Sequence, residues 1–424
     1  MLFRLAKTIV AFSLSFCVAL PVTSLAAREH KSASIKRLDM ASVNGAEWEE
    51  KAHSSLSLII KLQVFLDRAH VSPGEIDGNL GENTRKAIEV FRALKGLSPK
   101  TLVDEQLWGI LTEGDSEPVL VTYTISEKDA AGPFVKKIPA DFRKKAAMES
   151  LGYTSPVELL AEKFHMSQQL LRKLNPGASL DKAGQEVVVA NVERGSLPGK
   201  VSRIEVDSQQ QRVMAYDKDH NVVAIYPATV GSEDRPSPEG EFKVTKITEN
   251  PVYHYDPSLH LRGVHVQEKL NLPPGPNNPV GIVWIDLSAE GYGIHGTPDP
   301  DKISKSASHG CIRLTNWDAL ELAHSVGKGT RVIITRSAKI DKAEATSVPI
   351  GQLQPVAGPQ VNTPPLPEQN PARTHRQARQ TVTLPGDVRT QRWTDPEVVA
   401  AKAKCVDALS KLKLDYEPRP SMPA

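Results

Sequence analysis

The spacing of apolar residues changes along the chain from a helical period to a period of two. Between residues 51 and 115, apolar side chains recur at intervals of three and four, which predicts a three-helix domain. The predicted core positions are Leu58, Leu62, Phe65 and Leu66, then Ala87, Ile88, Phe91 and Leu94, then Leu102, Leu107, Trp108 and Leu111. From residue 198 to 337 apolar and polar positions alternate, as around Ile204 and Val206, which predicts a mainly β domain.

Between these two parts, residues 119–193 mix both periods. Tyr123-Thr124-Ile125 predicts a strand, residues 157–164 and 168–174 predict two helices, and residues 187–189 predict a second strand. We therefore expect an α/β segment between the helical and the β-rich domains, with a long insertion before residue 157.

Within the β-rich domain the pattern also places individual elements. Residues 213–216 and 222–226 flank a polar turn and predict a hairpin. Asn316 is expected to cap a helix that runs to Val326, and residues 331–335 predict a final strand.

Both ends of the chain are expected to lie outside these domains. Residues 1–27 combine a short basic start, an apolar run and a small-residue cleavage site, which predicts a secretory signal; the chain would contact a membrane only through an uncleaved signal. Residues 28–50 are polar and predict a flexible leader. Residues 338–393 are Pro-rich and predict a disordered or extended linker, and residues 394–416 predict one amphipathic helix. Together these patterns predict a multidomain protein.

Composition narrows the classes of function. The 424-residue chain has a net charge of +2 and only 5% aromatic residues, so neither charge nor stacking surface favours nucleic acid as a partner. After removal of the signal only Cys311 and Cys405 remain, too few for a disulfide-built secreted domain. A disulfide between them remains an alternative, but a free thiol in an oxidising compartment mildly favours a chemical role for Cys311.

Residues 295–314 are the segment with the strongest candidates for catalysis, because they contain His295, His309 and Cys311. A thiol is a good nucleophile only as thiolate, and a neighbouring imidazole that takes its proton prepares it for acyl transfer through a thioester. Gly310 permits close backbone approach, so nearby N–H groups are candidates for stabilising an oxyanion. The structural alternative is a packed core cysteine and a turn histidine.

The wider pattern favours chemistry. Ile294-His295-Gly296-Thr297, a polar loop, and Ser308-His309-Gly310-Cys311-Ile312-Arg313-Leu314 closely resemble the signature of bacterial L,D-transpeptidases. Val230-Gly231, Ser237-Pro238 and Asn278-Pro279 extend this resemblance through a domain from residue 201 to 335. It implies cysteine catalysis without a cofactor on peptidoglycan tetrapeptide stems, with release of D-alanine and formation of 3-3 cross-links. A lysine of an outer-membrane lipoprotein, or water in an L,D-carboxypeptidase, are alternative acceptors.

The resemblance also implies roles for individual residues. The implied catalytic set is Cys311 as nucleophile, His295 as its partner or base, Gly296 as the carbonyl that orients an imidazole, and His309 and Gly310 as contributors of backbone donors. Predicted substrate-binding residues are Ser308, Arg313, Thr297 and, on a substrate-side loop, Tyr253. Arg313 carries donors suited to a carboxylate, although a structural ion pair is the alternative.

Two further resemblances lie before the catalytic domain. Leu62-Gln63, Ile76-Asp77-Gly78, Gly81 and Thr84 are similar to a small three-helix peptidoglycan-binding module, with a generic helix bundle as the alternative. Leu159-Leu160-Ala161, Asn175-Pro176 and Val187 to Val189 resemble a LysM motif that binds wall glycan. The insertion before residue 157 departs from that motif, and a spacer domain is the competing interpretation.

Two other functions compete with the transpeptidase hypothesis. His254, Asp256, His260 and His265 lie close in sequence and offer ligands for a zinc peptidase, but no compact zinc motif is present and no metal site is predicted. A wall-binding scaffold with an idle catalytic domain is the second alternative, and the complete Cys/His signature argues against it.

Overall fold

The computed structural model describes residues 38–51, 54–100, 102–231, 235–259, 264–305, 308 and 310–337. The predicted signal, linker and C-terminal helix lie outside the described residues, as do His260 and His309. The chain divides into two units, Met1–Gln354 and Pro355–Ala424, and the second lies wholly outside the described residues. Within the described part, no helix combines the length and the apolar composition that a membrane span requires.

The helices of the described part lie mainly before the large sheet. Their bounds are α1 Met40–Asn44, α2 Leu56–Arg68, α3 Glu82–Leu94, α4 Glu105–Thr112, α5 Glu127–Ala131, α6 Phe142–Ala146, α7 Pro156–Lys163, α8 Gln168–Leu174 and α9 Asn316–Ser325. The three helices predicted between residues 51 and 115 are confirmed as α2, α3 and α4. Leu102, expected in their core, is instead 53% exposed.

The predicted flexible leader differs from the structure. Residues 40–44 form α1, capped by Asp39, whose carboxylate accepts a hydrogen bond from the Ser42 N–H at 2.8 Å. The Asn44 amide donates to the Leu120 carbonyl at 2.9 Å and accepts from the Leu120 N–H at 2.8 Å. This pair of bonds ties α1 to the first strand, a long-range contact that local sequence does not reveal.

Polar residues of the module-like pattern hydrogen-bond to one another. The Gln63 side chain accepts from the N–H groups of Asp77 and Gly78 and donates to Asp77 Oδ1 and Thr84 Oγ1, at 2.8–3.1 Å. Gly78 has φ +76°, and a Cβ there would lie 2.4 Å from Leu56 Cδ1. These residues therefore build the turn between α2 and α3, which explains their pattern without a ligand.

The α/β segment has the predicted strand–helix–helix–strand order. Strand β1 (Leu120–Thr124) pairs antiparallel with β2 (Glu186–Ala190), and α7 and α8 lie between them in sequence. The insertion contains α5 and α6. Its Phe142 and Leu151 are buried against Tyr255 and Leu272, on a hairpin that belongs to the following domain.

The β-rich domain contains one large mixed sheet and that small hairpin. The sheet strands are β3 Arg203–Asp207, β4 Arg212–Tyr216, β5 Val222–Pro227, β6 Thr229–Val230, β7 Gly240–Glu249, β10 Val283–Leu287, β11 Gly293–His295, β12 Ile312–Arg313 and β13 Arg331–Thr335, and the hairpin is β8 Tyr253–Tyr255 with β9 Leu270–Leu272. In the described residues the sheet order is β5-β4-β3-β13-β7-β10-β11-β12-β6. Since β5 and β6 are separated only by Ala228 yet occupy the two ends of this order, the sheet must curl back on itself.

Strands β4 and β5 are buried on both faces. Val213, Ala215 and Tyr226 face the core of the β domain, whereas Met214 and Ile225 join the hydrophobic core of the helical and α/β parts. Backbone bonds reinforce this contact: Ile225 N–H donates to the His70 carbonyl at 2.8 Å. The predicted N-terminal domains and the sheet are therefore packed together through one shared core.

The prediction that Asn316 caps the last helix is wrong. The cap of α9 is Thr315, whose hydroxyl accepts from the Asp318 N–H at 3.2 Å. Asn316 is the first helical residue, and this displacement by one position leaves its amide free to bond elsewhere.

Candidate active site

Neighbouring strands bring the predicted catalytic residues to one face of the sheet. Strands β11 and β12 run parallel, with Ile294 opposite Ile312 and His295 opposite Arg313. Ile294 and Ile312 are fully buried in the core. Because side chains alternate along a strand, His295, Cys311 and Arg313 lie on the opposite face. The structure thus places the thiol, the imidazole and the guanidinium of the signature on one face of the sheet.

The His295 imidazole has a fixed tautomer. Its Nδ1 lies 2.7 Å from the Gly296 carbonyl oxygen, which can only accept, so Nδ1 carries the proton and Nε2 is left as an acceptor. The side chain is 4% exposed, and burial, followed by the charge of Arg313, lowers the pKa of His295 to about 3. At neutral pH the ring is therefore uncharged, with no proton on Nε2.

Trp284 adds a second constraint on that ring. It lies opposite His295 across the β10–β11 pair, and the two rings stack with centroids 5.4 Å apart and 20° between planes. The Trp284 Nε1–H donates to Asp286 Oδ1 at 2.8 Å, which fixes the indole. A hydrogen bond at one edge and a stacked face together determine the orientation of the imidazole.

Cys311 is partly exposed at the end of this arrangement. Burial raises the pKa of its thiol, while a backbone hydrogen bond from Gly293 and the charge of Arg313 oppose that rise. Sγ lies 3.7 Å from the Gly291 carbonyl oxygen. The raised pKa of the thiol and the lowered pKa of the imidazole both favour the uncharged forms of Cys311 and His295.

The loop before Cys311 is held by hydroxyl groups. Ser308 Oγ donates to the Cys311 carbonyl at 2.7 Å and accepts from the Gly310 N–H at 3.3 Å. Ser237 Oγ donates to the Gly310 carbonyl at 2.6 Å. Ser308 is buried and its hydroxyl is fully used by the loop, so its position favours a structural role over the predicted substrate contact.

Gly310 is required by both its dihedral angle and its surroundings. Its φ of +101° is a conformation that L side chains rarely adopt, and a Cβ would lie 2.7 Å from the Tyr292 ring. The Gly310 N–H bond to Ser308 is long, at 3.3 Å. Glycine is therefore required here by the backbone conformation and by the Tyr292 ring, and close approach of this backbone to a substrate stays a prediction.

The loop after His295 is held from α9. Asn316 Oδ1 accepts from the Thr297 N–H at 3.1 Å and from the Ile282 N–H at 3.3 Å. Thr297 is 3% exposed and its hydroxyl accepts from the Asp299 N–H at 3.2 Å. Like Ser308, Thr297 is predicted to bind substrate but is placed to hold a loop.

Arg313 lies opposite His295 in the β11–β12 register, and Tyr253 lies close enough to Cys311 and Arg313 to be affected by their charges. The Arg313 Nε is buried and has no hydrogen-bond partner among the described residues. Tyr253 is half-buried on β8; burial, followed by the negative charge that Cys311 can carry, raises its pKa to about 12, whereas Arg313 acts in the opposite direction. Among the described residues no ion pair to Arg313 is found, although the charge of Asp299 acts on it, and the substrate-binding roles of Arg313 and Tyr253 stay predictions.

Two of the ligands proposed for a zinc site, His254 and Asp256, are bonded to other side chains. His254 Nδ1 lies 2.7 Å from Asn271 Oδ1, and Asp256 pairs with Lys269 at 2.7 Å. In the part of the chain that the structure describes, no three His, Cys, Asp or Glu side chains are grouped to hold a metal ion.

Sequence reasoning missed four residues that shape the site. They are Trp284, Ser237, Tyr292 and the clamping role of Asn316. The alternation that predicts β10 indicates that Trp284 lies off the core face, but only strand register places it against His295. Ser237 lies within the Ser237-Pro238 pattern already noted, which was the available signal.

Comparison with known proteins identifies the same domain. The YkuD family model, an L,D-transpeptidase catalytic domain, matches residues 202–334. YkuD of Bacillus licheniformis, named as an L,D-transpeptidase, is 34% identical over 182 residues, which are 42% of this chain and 93% of that protein. ErfK/SrfK of Escherichia coli, named likewise, is 32% identical over 187 residues, 43% of this chain and 59% of that protein. A solved L,D-transpeptidase from Mycobacterium smegmatis is 19% identical with a TM-score of 0.27, over 37% of this chain and 76% of that one.

Proposed function

The chain belongs to the L,D-transpeptidase family, and from this premise we propose that it cleaves and rejoins peptidoglycan stem peptides through a thioester on Cys311. The observation that carries the proposal is the fixed His295 tautomer, with Nδ1 bound to the Gly296 carbonyl at 2.7 Å on the face that also presents Cys311. Such a base–orienter pair beside a thiol is the arrangement that nucleophilic acyl transfer requires.

In the first half-reaction, the donor is a tetrapeptide stem and the bond cleaved joins its third residue to the terminal D-alanine. Cys311 Sγ attacks the carbonyl carbon while His295 Nε2 takes the thiol proton. The C–N bond then breaks, and the departing amine of D-alanine takes that proton back from His295. Because both groups begin neutral, no separated charge has to be maintained in the resting site.

The negative charge of the intermediate falls on the former carbonyl oxygen. We assign its stabilisation to backbone N–H groups of residues 309–311, with Gly310 giving up its long 3.3 Å bond to Ser308 as the oxyanion forms. The bonds from Ser308 to the Cys311 carbonyl and from Ser237 to the Gly310 carbonyl support the positions of the Gly310 and Cys311 amides.

In the second half-reaction, an amine of a neighbouring stem attacks the thioester. The amine gives its proton to His295, a new amide forms, and the protonated imidazole returns the proton to the Cys311 sulfur as it leaves. An amine from a second stem gives a 3-3 cross-link, an amine on a lipoprotein gives attachment of that protein, and water gives a shortened stem. Arg313, whose Nε has no protein partner among the described residues, is assigned to a stem carboxylate.

We further propose that the protein acts in the periplasm at the cell wall. The signal-like residues 1–27 support export, and the three-helix and α/β parts support retention on peptidoglycan. The polar residues Gln63 and Asn175 within the module-like patterns are used to hold turns and strands, so a glycan contact would have to come from other residues.

Purified mature protein incubated with a disaccharide-tetrapeptide tests the proposal. We expect release of D-alanine, and mass spectrometry of the muropeptides then separates cross-linked products from hydrolysed ones. Cys311→Ala should abolish release, and Cys405→Ser, which removes the other thiol of the mature chain, should leave it unchanged. Release by Cys311→Ala, or none by the wild type with any tetrapeptide stem, would reject the thiol mechanism.

A further inference from the structure

A carboxylate from the α/β segment reaches the catalytic domain beside the His295 loop. Glu162 lies at the end of α7, and its Oε1 and Oε2 accept hydrogen bonds from Asn316 Nδ2 at 3.0 and 3.1 Å. Oε1 also accepts from the Tyr153 hydroxyl at 3.0 Å. Glu162 is therefore the point at which a helix outside the family's catalytic domain contacts the first residue of α9.

Asn316 connects Glu162 to the loop that follows His295. Its other amide atom, Oδ1, holds the Thr297 N–H at 3.1 Å, and Thr297 follows directly after the Gly296 carbonyl that fixes His295. The packing is close: a Cβ on Gly296 would lie 2.2 Å from Asn316 Oδ1, and one on Gly281 would lie 2.0 Å from it. An amide this tightly enclosed cannot rotate without moving the loop.

The orientation of the amide is also determined by its partners. Asn316 must present oxygen to two backbone N–H groups and nitrogen to Glu162 and to the Pro276 carbonyl, 3.2 Å away. Glu162 is the only side-chain acceptor among these partners in the described part, and its carboxylate, when ionised, makes the stronger kind of hydrogen bond. Without it, Nδ2 keeps only the Pro276 carbonyl.

Neighbouring bonds tie α7 and the residues before it to a second segment, residues 274–277, which contains the Pro276 carbonyl that also contacts Asn316. Leu151 N–H donates to the Pro274 carbonyl and Asn277 N–H donates to the Leu151 carbonyl, both at 2.9 Å. The Asn277 amide donates to Glu158 Oε1 at 2.6 Å. These bonds hold α7, and with it Glu162, next to Asn316.

We propose that Glu162 is a positioning residue for catalysis, which acts through Asn316 on the loop that orients His295. The α/β segment then contributes to turnover itself, in addition to any role in wall binding. This inference rests on the proposed function for its catalytic readout, but its structural readout, the reactivity of Cys311, does not depend on the identity of the substrate.

Three variants of the full mature chain test the coupling. Glu162→Ala removes the acceptor and is expected to lower kcat for D-alanine release about 10- to 100-fold with KM within about twofold, because a displaced loop misorients the base. Glu162→Gln keeps an acceptor oxygen for Asn316 and should stay within about threefold of wild type. Asn316→Asp places two carboxylates against each other and should resemble Glu162→Ala.

The double variant Glu162→Gln with Asn316→Asp supplies the rescue. In this variant the glutamine introduced at position 162 can donate a hydrogen bond to the aspartate introduced at position 316, so that one donor–acceptor pair is restored with the roles exchanged. Its kcat should be about tenfold higher than that of Asn316→Asp alone, which is the effect expected of one hydrogen bond to a charged group. The matched control is Ser72→Ala, which removes a 2.8 Å bond from the N-terminal part to Asp318 on the same helix without touching Asn316, and should leave kcat unchanged.

The second readout is alkylation of Cys311 by iodoacetamide between pH 6 and 9, quantified on the Cys311 peptide. Glu162→Ala and Asn316→Asp should shift this pH profile and slow alkylation at pH 7, while Ser72→Ala should not. If folded Glu162→Ala shows an unchanged profile and unchanged kcat, or if the double variant recovers nothing, the inference is overturned. If Glu162→Ala fails to fold, the Asn316→Asp and double-variant pair decides in its place.

The two proposals fail in different ways. If the wild type releases no D-alanine but the variants still alter the alkylation of Cys311, the positioning of His295 is upheld and the proposed function is rejected. D-alanine release at equal rates by all folded variants would uphold the function and reject the role of Glu162.

Discussion

Replacing Glu162 with glutamine should change how the stability of the protein depends on pH. Burial raises the pKa of Glu162 to about 7, against hydrogen bonds from Asn316 and Tyr153 that lower it. The folded state therefore binds more protons than the unfolded state between about pH 4.5 and 7, so wild-type stability falls as pH rises through that window. Because glutamine cannot ionise, the stability of Glu162→Gln lacks this contribution and should not fall with it as the pH rises.

The size of the effect follows from the change in pKa. A rise from 4.5 to about 7 corresponds to about 3 kcal/mol, at about 1.4 kcal/mol for each pH unit. Since the Glu162 side chain keeps some exposed surface, solvent screening reduces the expected value to about 2 kcal/mol. Asp318 and Glu75 also have pKa values raised to about 7 by burial, but they are present in both proteins and cancel in the difference.

Urea unfolding of both proteins at pH 5, 6, 7 and 8 measures this difference. The free energy of unfolding of Glu162→Gln minus that of wild type should increase by about 2 kcal/mol from pH 5 to pH 8, with equal m-values for the two proteins. Glu186→Gln, a substitution at an exposed carboxylate of the same segment, serves as control and should show no such trend. A constant difference between Glu162→Gln and wild type across the range would refute the reasoning.

Three further substitutions test the site directly. Gly310→Ala should lose activity at least about 100-fold and about 1–3 kcal/mol of stability, because φ +101° and the Tyr292 ring leave no room for a Cβ, as turnover and urea unfolding will report. Ser308→Ala should lower kcat about tenfold without raising KM, since it frees the Cys311 carbonyl; a raised KM with normal kcat would restore the substrate-contact interpretation. Arg313→Lys should raise KM about tenfold for a donor whose third residue has a free side-chain carboxylate, but not for the donor in which that carboxylate is amidated, in paired D-alanine release assays.

Local pattern predicts much of this fold because most elements follow their own periodicity. Strand β10 alternates buried Val283, Ile285 and Leu287 with Trp284 and Asp286, and the sequence alone indicates that alternation. His295 and Cys311 fall on one face of the sheet because a short parallel strand pair brings the two halves of the signature together. What such patterns cannot supply is the partner of each outward-facing side chain.

The failures share that cause. Asn316 and Thr315 are both good caps by residue type, and only the fold decides that Thr315 caps while Asn316 spans three backbone segments. Ser308 and Thr297 are polar motif residues, and whether a hydroxyl meets substrate or its own loop depends on contacts a few residues away. Glu162 has no signal in its own helix, since its partner lies 154 positions along the chain.

The central claim is that Cys311 carries the donor stem as a thioester formed with the help of His295. The direct measurement is mass spectrometry of intact protein, rapidly quenched in acid after mixing with a disaccharide-tetrapeptide, followed by peptide mapping. The account predicts an adduct equal to the donor minus D-alanine on the Cys311 peptide, formed about 10²–10⁴-fold more slowly in His295→Gln. An adduct on any other residue would contradict the account. So would D-alanine release by Cys311→Ala, which has no thiol at this position to form the thioester.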